Sequence, residues 1–195
     1  FANGGSITPS SFTQSSTVIG TPNPIPNGVR IADLDGDGKL DAAFLVYNGG
    51  SNEMGVIRNT TTGSTVTFST PSYFGVTNPE ELTIADIDAD GKLDVIVANA
   101  SSQVFVFRNI SVPGNISFAA PVSFATAADP REIAIGDLDL DGKLDIAVAH
   151  YPANTLSLFR NIGEPGLIAF APGMNISSIS GDAMIADLDN DNKLD

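Results

Sequence analysis

Four segments of the chain concentrate carboxylates at one fixed spacing: Asp33, Asp35, Asp37 and Asp41; Asp86, Asp88, Asp90 and Asp94; Asp137, Asp139, Asp141 and Asp145; and Asp187, Asp189, Asp191 and Asp195. In each the acids stand at relative positions 1, 3, 5 and 9. Alternate carboxylates in a tight turn converge on one point, and a glycine at position 6, present as Gly38, Gly91 and Gly142, permits the sharp reversal. The backbone carbonyl at position 7, from Lys39, Lys92, Lys143 and Lys193, adds a neutral oxygen, with the lysine ammonium expected in solvent. Hard oxygen donors in that number select Ca²⁺ over softer metals, and Mg²⁺ asks for tighter octahedral geometry and retained waters. One Ca²⁺ per loop, up to four, is therefore expected, the fourth with Asn192 in place of the glycine. A helix-flanked EF-hand is a poor description, because position 12 holds Phe44, Val97 and Val148 rather than a bidentate glutamate, and the flanks read as strands.

Composition narrows the chemistry further. The 195 residues carry 23 acids against 9 bases, a formal charge of −14, with no cysteine and a single histidine. Thiolate sites, disulfides and histidine-rich zinc cages are excluded together. The acidic balance argues against nucleic acid or an anionic membrane surface as partner, since both need a positive footprint. No apolar run approaches the length of a membrane-spanning helix, about 18 residues, so membrane insertion is not expected. The four loops hold 16 of the 23 acids, and four bound Ca²⁺ would move the net charge from −14 to −6. Aspartate and glycine are also ordinary turn formers, but turn preference does not require four acids at identical spacing four times.

The elements that position these loops follow from their recurrence. The segments IADLDGDGKLD, IADIDADGKLD, IGDLDLDGKLD and IADLDNDNKLD are self-similar, with first aspartates 53, 51 and 50 residues apart. A second marker keeps the same period: Asn3, Asn59, Asn109 and Asn161, the last three preceded by arginine, each stand nine residues before a phenylalanine, at Phe12, Phe68, Phe118 and Phe170. Short β-branched and aromatic runs bounded by Gly, Pro, Asn and Ser read as four strands per unit: one before the loop, one after it, one closing on Arg-Asn, and one around the marker phenylalanine, such as 116–124. No segment has extended helical periodicity. About 50 residues and four strands per repeat describe a propeller blade. The expectation is an all-β propeller segment over 1–195, with units at about 1–28 (partial), 29–79, 80–130, 131–180 and 181–195 (partial): three full blades and two partial ones cut from a larger ring.

The DxDxDGxxD loop between first and second strands, recurring every 50 residues or so and followed by a strand ending in Phe-Arg-Asn, resembles the FG-GAP/VCBS repeat family, the blade repeat of integrin α-chain-like propellers and of many secreted bacterial proteins. The literal Phe-Gly pair occurs once in the expected segment, at Phe74-Gly75, which favours the bacterial type. The resemblance implies a ring that usually has seven blades, Ca²⁺ loops on one face, ligands often met on the opposite face, and the remaining blades of the parent chain as partners. It also implies a secreted or cell-surface location, where millimolar Ca²⁺ is available.

If the loops join first and second strands, the turns at 47–52, 99–103 and 150–154, and those at 22–28, 75–80 and 125–130, emerge on the other face. They vary while the scaffold repeats, and variable loops on a fixed scaffold are where binding usually lives. Tyr47, Asn99, His150 and Tyr151 are the candidate ligand contacts there. The expected function is adhesion, or recognition of an extracellular protein or glycan. The alternatives are the propeller part of a carbohydrate-active enzyme and a structural spacer. Catalysis by these residues is not expected, since every acid cluster is repeated while a catalytic pair should be unique. Arg58, Arg108 and Arg160 recur with a strand end, which points to hydrogen bonding or stacking between blades.

Overall fold

The computed structural model describes residues 25–47, 53–178 and 185. Most of the expected partial units, 1–28 and 181–195, therefore lies outside the described residues. Alternation of apolar residues and turn signals at short intervals produce twelve strands and, among the described residues, no helix. They form three four-stranded antiparallel sheets, each ordered as in sequence. The first contains β1 (Ile25–Ala32), β2 (Asp41–Tyr47), β3 (Glu53–Ile57) and β4 (Ser72–Gly75). The second contains β5 (Pro79–Ala85), β6 (Asp94–Asn99), β7 (Gln103–Phe107) and β8 (Val122–Ala125). The third contains β9 (Pro130–Gly136), β10 (Asp145–His150), β11 (Thr155–Phe159) and β12 (Met174–Ser177). The first strands β1, β5 and β9 are neighbours, so the sheets are propeller blades that share one inner side.

The packing explains the pattern of side chains in β6. Period-two alternation sends Val95 and Val97 towards the first blade, where they join Leu45, Met54 and Val56, and sends Ile96 and Ala98 towards the third, where they join Ile146 and Val148. A strand buried on both faces needs a continuous apolar run, and all six residues of β6 are buried. The two interblade cores are thus the two faces of one sheet.

The fourth strand departs from expectation. It begins later than the marker phenylalanine, at Ser72, Val122 and Met174. Proline at 71, 121 and 172 lies just before these strands, where it cannot donate to a sheet ladder, and keeps the marker segment out of the regular sheet. The markers themselves pair: Asn59 with Phe68, Asn109 with Phe118 and Asn161 with Phe170, each as an isolated antiparallel bridge. The phenylalanine then packs against the preceding blade, Phe118 edge-on to Phe74 at 5.1 Å and Phe170 tilted against Phe124 at 4.9 Å.

Candidate metal centre

Within each loop, the backbone organises the acids. In the second loop the Asp90 amide donates to Asp86 Oδ1 at 3.0 Å and Asp88 Oδ1 at 3.2 Å. The Gly91 amide donates to Asp86 Oδ2, and the Lys92 amide to Asp90 Oδ1. The same bonds recur around Asp33, Asp35 and Asp37, and around Asp137, Asp139 and Asp141. Two left-handed residues make the curl, at position 6 (Gly38, Gly91, Gly142) and also at position 4, where Gly36, Ala89 and Leu140 have φ of 73, 52 and 60°. The position-4 requirement is invisible in the sequence, because two of the three loops meet it with a residue that carries a Cβ.

Three carboxylate groups gather in each described loop with one oxygen apiece mutually within 4.8 Å: Asp33, Asp35 and Asp37; Asp86, Asp88 and Asp90; Asp137, Asp139 and Asp145. The donors are all carboxylate oxygens, with no nitrogen or sulfur among them. At positions 3 and 5 the loop's own amides take Oδ1, which leaves Oδ2 outside the turn's ladder. This donor set fits a hard divalent cation. The fourth loop, Asp187, Asp189, Asp191, Lys193 and Asp195, lies outside the described residues.

Position 9 has a scaffold task of its own. Asp94 is fully buried; its Oδ2 accepts the Ile87 amide at 3.0 Å and its Oδ1 the Asn109 amide at 2.7 Å. Asp41 does the same with Leu34 and Asn59, and Asp145 with Leu138 and Asn161. Burial pushes the Asp94 carboxyl up to about 7, against the pull of its two amide donors, and the charges of Asp88 and Asp90 add to the rise. Burial raises Asp41 likewise. The two recurring sequence markers are thus joined by a hydrogen bond, which is why they share a period.

The asparagine of the second marker is a functional residue that sequence reading passed over. Asn109 Nδ2 donates to Leu93 O in its own blade and to Leu34 O in the preceding one, both at 2.8 Å. Asn161 repeats this with Leu144 O and, across the interface, Ile87 O at 2.7 Å. Their Oδ1 atoms cap the amides of Ser111 and Gly163. Each such side chain ties one blade's loop to its neighbour's.

The lysines do not point free into solvent as expected. Lys92 Nζ donates to Ser111 O and Lys143 Nζ to Gly163 O, while Lys39 Nζ reaches Asp37 Oδ2 at 2.7 Å. The long flexible stem lets the ammonium reach carbonyls and carboxylates within its own blade. The arginines also bond closer to home than expected: Arg108 Nε lies 2.7 Å from Asp88 Oδ2 and its terminal nitrogen 3.3 Å from Asp90 Oδ2. Arg160 pairs likewise with Asp139 and Asp141, and Arg58 stands 3.6 and 3.5 Å from Asp35 and Asp37. The neighbouring blade still meets these groups, since the Gly114 amide donates to Asp35 Oδ2 and Gly166 lies against Arg108.

On the opposite face two of the four proposed contacts belong to the scaffold. His150 is 3% exposed, with Nδ1 at 3.1 Å from Ala128 O and Nε2 at 2.9 Å from the fully buried Ser157 Oγ. Burial lowers its pKa. Asn99, at the matching end of β6, is 1% exposed and its Oδ1 caps the Gln103 amide. Both side chains are thus buried in the fold rather than presented to solvent. Tyr151 is 63% exposed, and Tyr47 is the last residue of β2.

Compared with known families, residues 86–148 and 137–195 match the FG-GAP-like repeat. No curated protein matches the chain.

Proposed function

We propose, from the premise that the chain belongs to the FG-GAP-like repeat family, that it is a calcium-binding propeller module of a secreted or cell-surface protein, working in adhesion or in recognition of a protein or glycan. The observation that carries the reading is the convergence of three carboxylates in each described loop, at positions 1, 3 and 5 in the first two and 1, 3 and 9 in the third. Ca²⁺ would supply the positive charge that lets these acids stay close without mutual repulsion; Asp33, Asp35 and Asp37, Asp86, Asp88 and Asp90, and Asp137, Asp139 and Asp145 would hold it. The cation then stiffens the connection between first and second strands and, through the Asn109 and Asn161 bridges, the seam between blades. The recognition surface is the opposite face, where Tyr151 is exposed among turns that differ between blades. Other blades of the parent chain complete the ring.

Calorimetric titration of chelator-stripped protein with Ca²⁺, with thermal unfolding in parallel, tests the metal reading. The expected result is binding at all three described loops, with dissociation constants on the order of 10⁻⁴ to 10⁻³ M as in extracellular modules, and a Tm that climbs with Ca²⁺. Absence of binding with an unchanged Tm would sink it. Glycan and protein arrays probed with the calcium-loaded module test recognition, and loss of a hit on Tyr151→Ala would locate it.

A further inference from the structure

Every described loop already contains a cation of its own. At positions 3 and 5 the backbone takes Oδ1 of each aspartate, and in all three loops the arginine just after the third strand of the blade approaches the two remaining Oδ2 atoms. Arg108 spans Asp88 and Asp90 with Nε on one and a terminal nitrogen on the other; Arg160 spans Asp139 and Asp141 in the same way. In the first loop Arg58 stands further off and Lys39 supplies the short contact to Asp37 instead. The planar guanidinium fork suits two carboxylates on adjacent alternate positions, and it brings one positive charge to a turn that otherwise crowds like charges together.

We infer that Arg58, Arg108 and Arg160 are resident counter-ions that hold the loops in shape without metal and that set the calcium affinity by competing for Oδ2 of positions 3 and 5. The inference rests on the calcium reading above. It follows from charge and geometry: a divalent ion drawing on these oxygens must share them with the guanidinium or displace it. In either case a fixed positive charge beside the site opposes the cation. The arginine therefore positions the acids of the metal-free loop and weakens the loaded one.

The test uses the whole chain with Arg108→Gln, Arg160→Gln and Arg108→Lys. Arg160, on the more open loop, is the variant least able to disturb the core, as its side chain is 57% exposed. Calcium calorimetry is expected to show the affected site in each glutamine variant binding roughly five- to tenfold more tightly, because a unit charge at contact distance is removed. The same variants, stripped with chelator, should melt a few degrees below the parent, while calcium-saturated proteins melt together. Arg108→Lys keeps the charge but loses the fork, and should bind calcium with an affinity between those of the parent and Arg108→Gln. Parent-like or weaker calcium binding by both glutamine variants, in a protein whose parent binds, overturns the competition and leaves the calcium reading standing. Binding by none of them overturns both.

Discussion

Asp94 spends both carboxylate oxygens on backbone amides in a site with no solvent access. An asparagine of the same shape would turn an NH₂ towards one of those amides and leave a buried donor unmet. Asp94→Asn should therefore cost about 2 kcal/mol in chelator, measured by urea unfolding, with the loss persisting when calcium is saturating. Leu140 presents the opposite case, a left-handed residue whose side chain is largely in solvent. Leu140→Gly should stabilise by about 0.5 kcal/mol, since the Cβ strain exceeds the entropy that glycine adds to the unfolded chain. His150 makes stability depend on pH. Burial holds its folded pKa below the ordinary value of 6.5, outweighing the opposing pull of the Ala128 carbonyl and the Asp129 charge, so the unfolded chain takes up the proton first. Its contribution is fully present above about pH 6.5 and is lost as pH falls from there towards the depressed folded value. Asp94 titrates in the opposite sense, its raised carboxyl gaining stability as pH falls below 7. The histidine's share is thus read as the difference between the parent and His150→Asn, the residue that the second blade uses at this position, in unfolding at pH 7.5 and 5.5. The parent should lose more stability on acidification than the variant.

Blades are joined by the same few devices at each seam, and those devices predict unequal costs. Asn161→Ala removes donors to Ile87 O and Leu144 O and uncovers the Gly163 amide, which should cost about 2 to 3 kcal/mol. Asn59 caps Thr61 and donates to Leu40 O but, among the described residues, reaches no neighbouring blade, so Asn59→Ala should cost about 1 kcal/mol. Paired urea melts of the two variants check the ranking. What the sequence could and could not reveal divides along the same line. The loops and most strands were legible because their signals are local: aspartates two residues apart, a glycine where the chain reverses, and β-branched runs between turns. Asn109 and Asn161 were legible only as markers, because their partners across the seam lie 75 and 74 residues away in sequence. The orientation of His150 was hidden for another reason. Its place in β10 is regular, in register with Thr155, but the groups that bury it, Ala128, Thr126 and Ser157, come from other segments of the chain. The late start of the fourth strand is legible in the prolines at 71, 121 and 172, which bar the preceding segment from a regular ladder whatever the marker phenylalanine favours.

At the scale of the whole molecule the fold is a row of sheets with its acids drawn to one edge. The inner strands partly balance themselves, Arg30 with Glu81 and Arg131 with Glu80 joining neighbouring blades. The excess charge is therefore concentrated at the loops: sixteen of the 23 acids belong to the four repeats, against a total of nine bases. Repulsion within and between these loops opposes the folded state when no metal is bound, and it acts through solvent over distances comparable with the Debye length, about 10 Å at 0.1 M salt and 3 Å at 1 M. Raising NaCl from 0.05 to about 0.5 M should then raise the Tm of the chelated protein by screening this repulsion. The same addition to the calcium-saturated protein should have a much smaller effect, because up to four bound ions would already have cut the net charge of −14 to −6. Arg108 and Arg160 pull in the other direction, since screening also weakens their attraction for the loop. With each described loop holding four acids against one arginine and one lysine, repulsion still outweighs attraction and the net sign remains stabilising. Thermal melts at the two salt concentrations, with chelator and with calcium, give four numbers. A salt response of equal size in both conditions would show that the loop charges do not govern the stability of the metal-free fold.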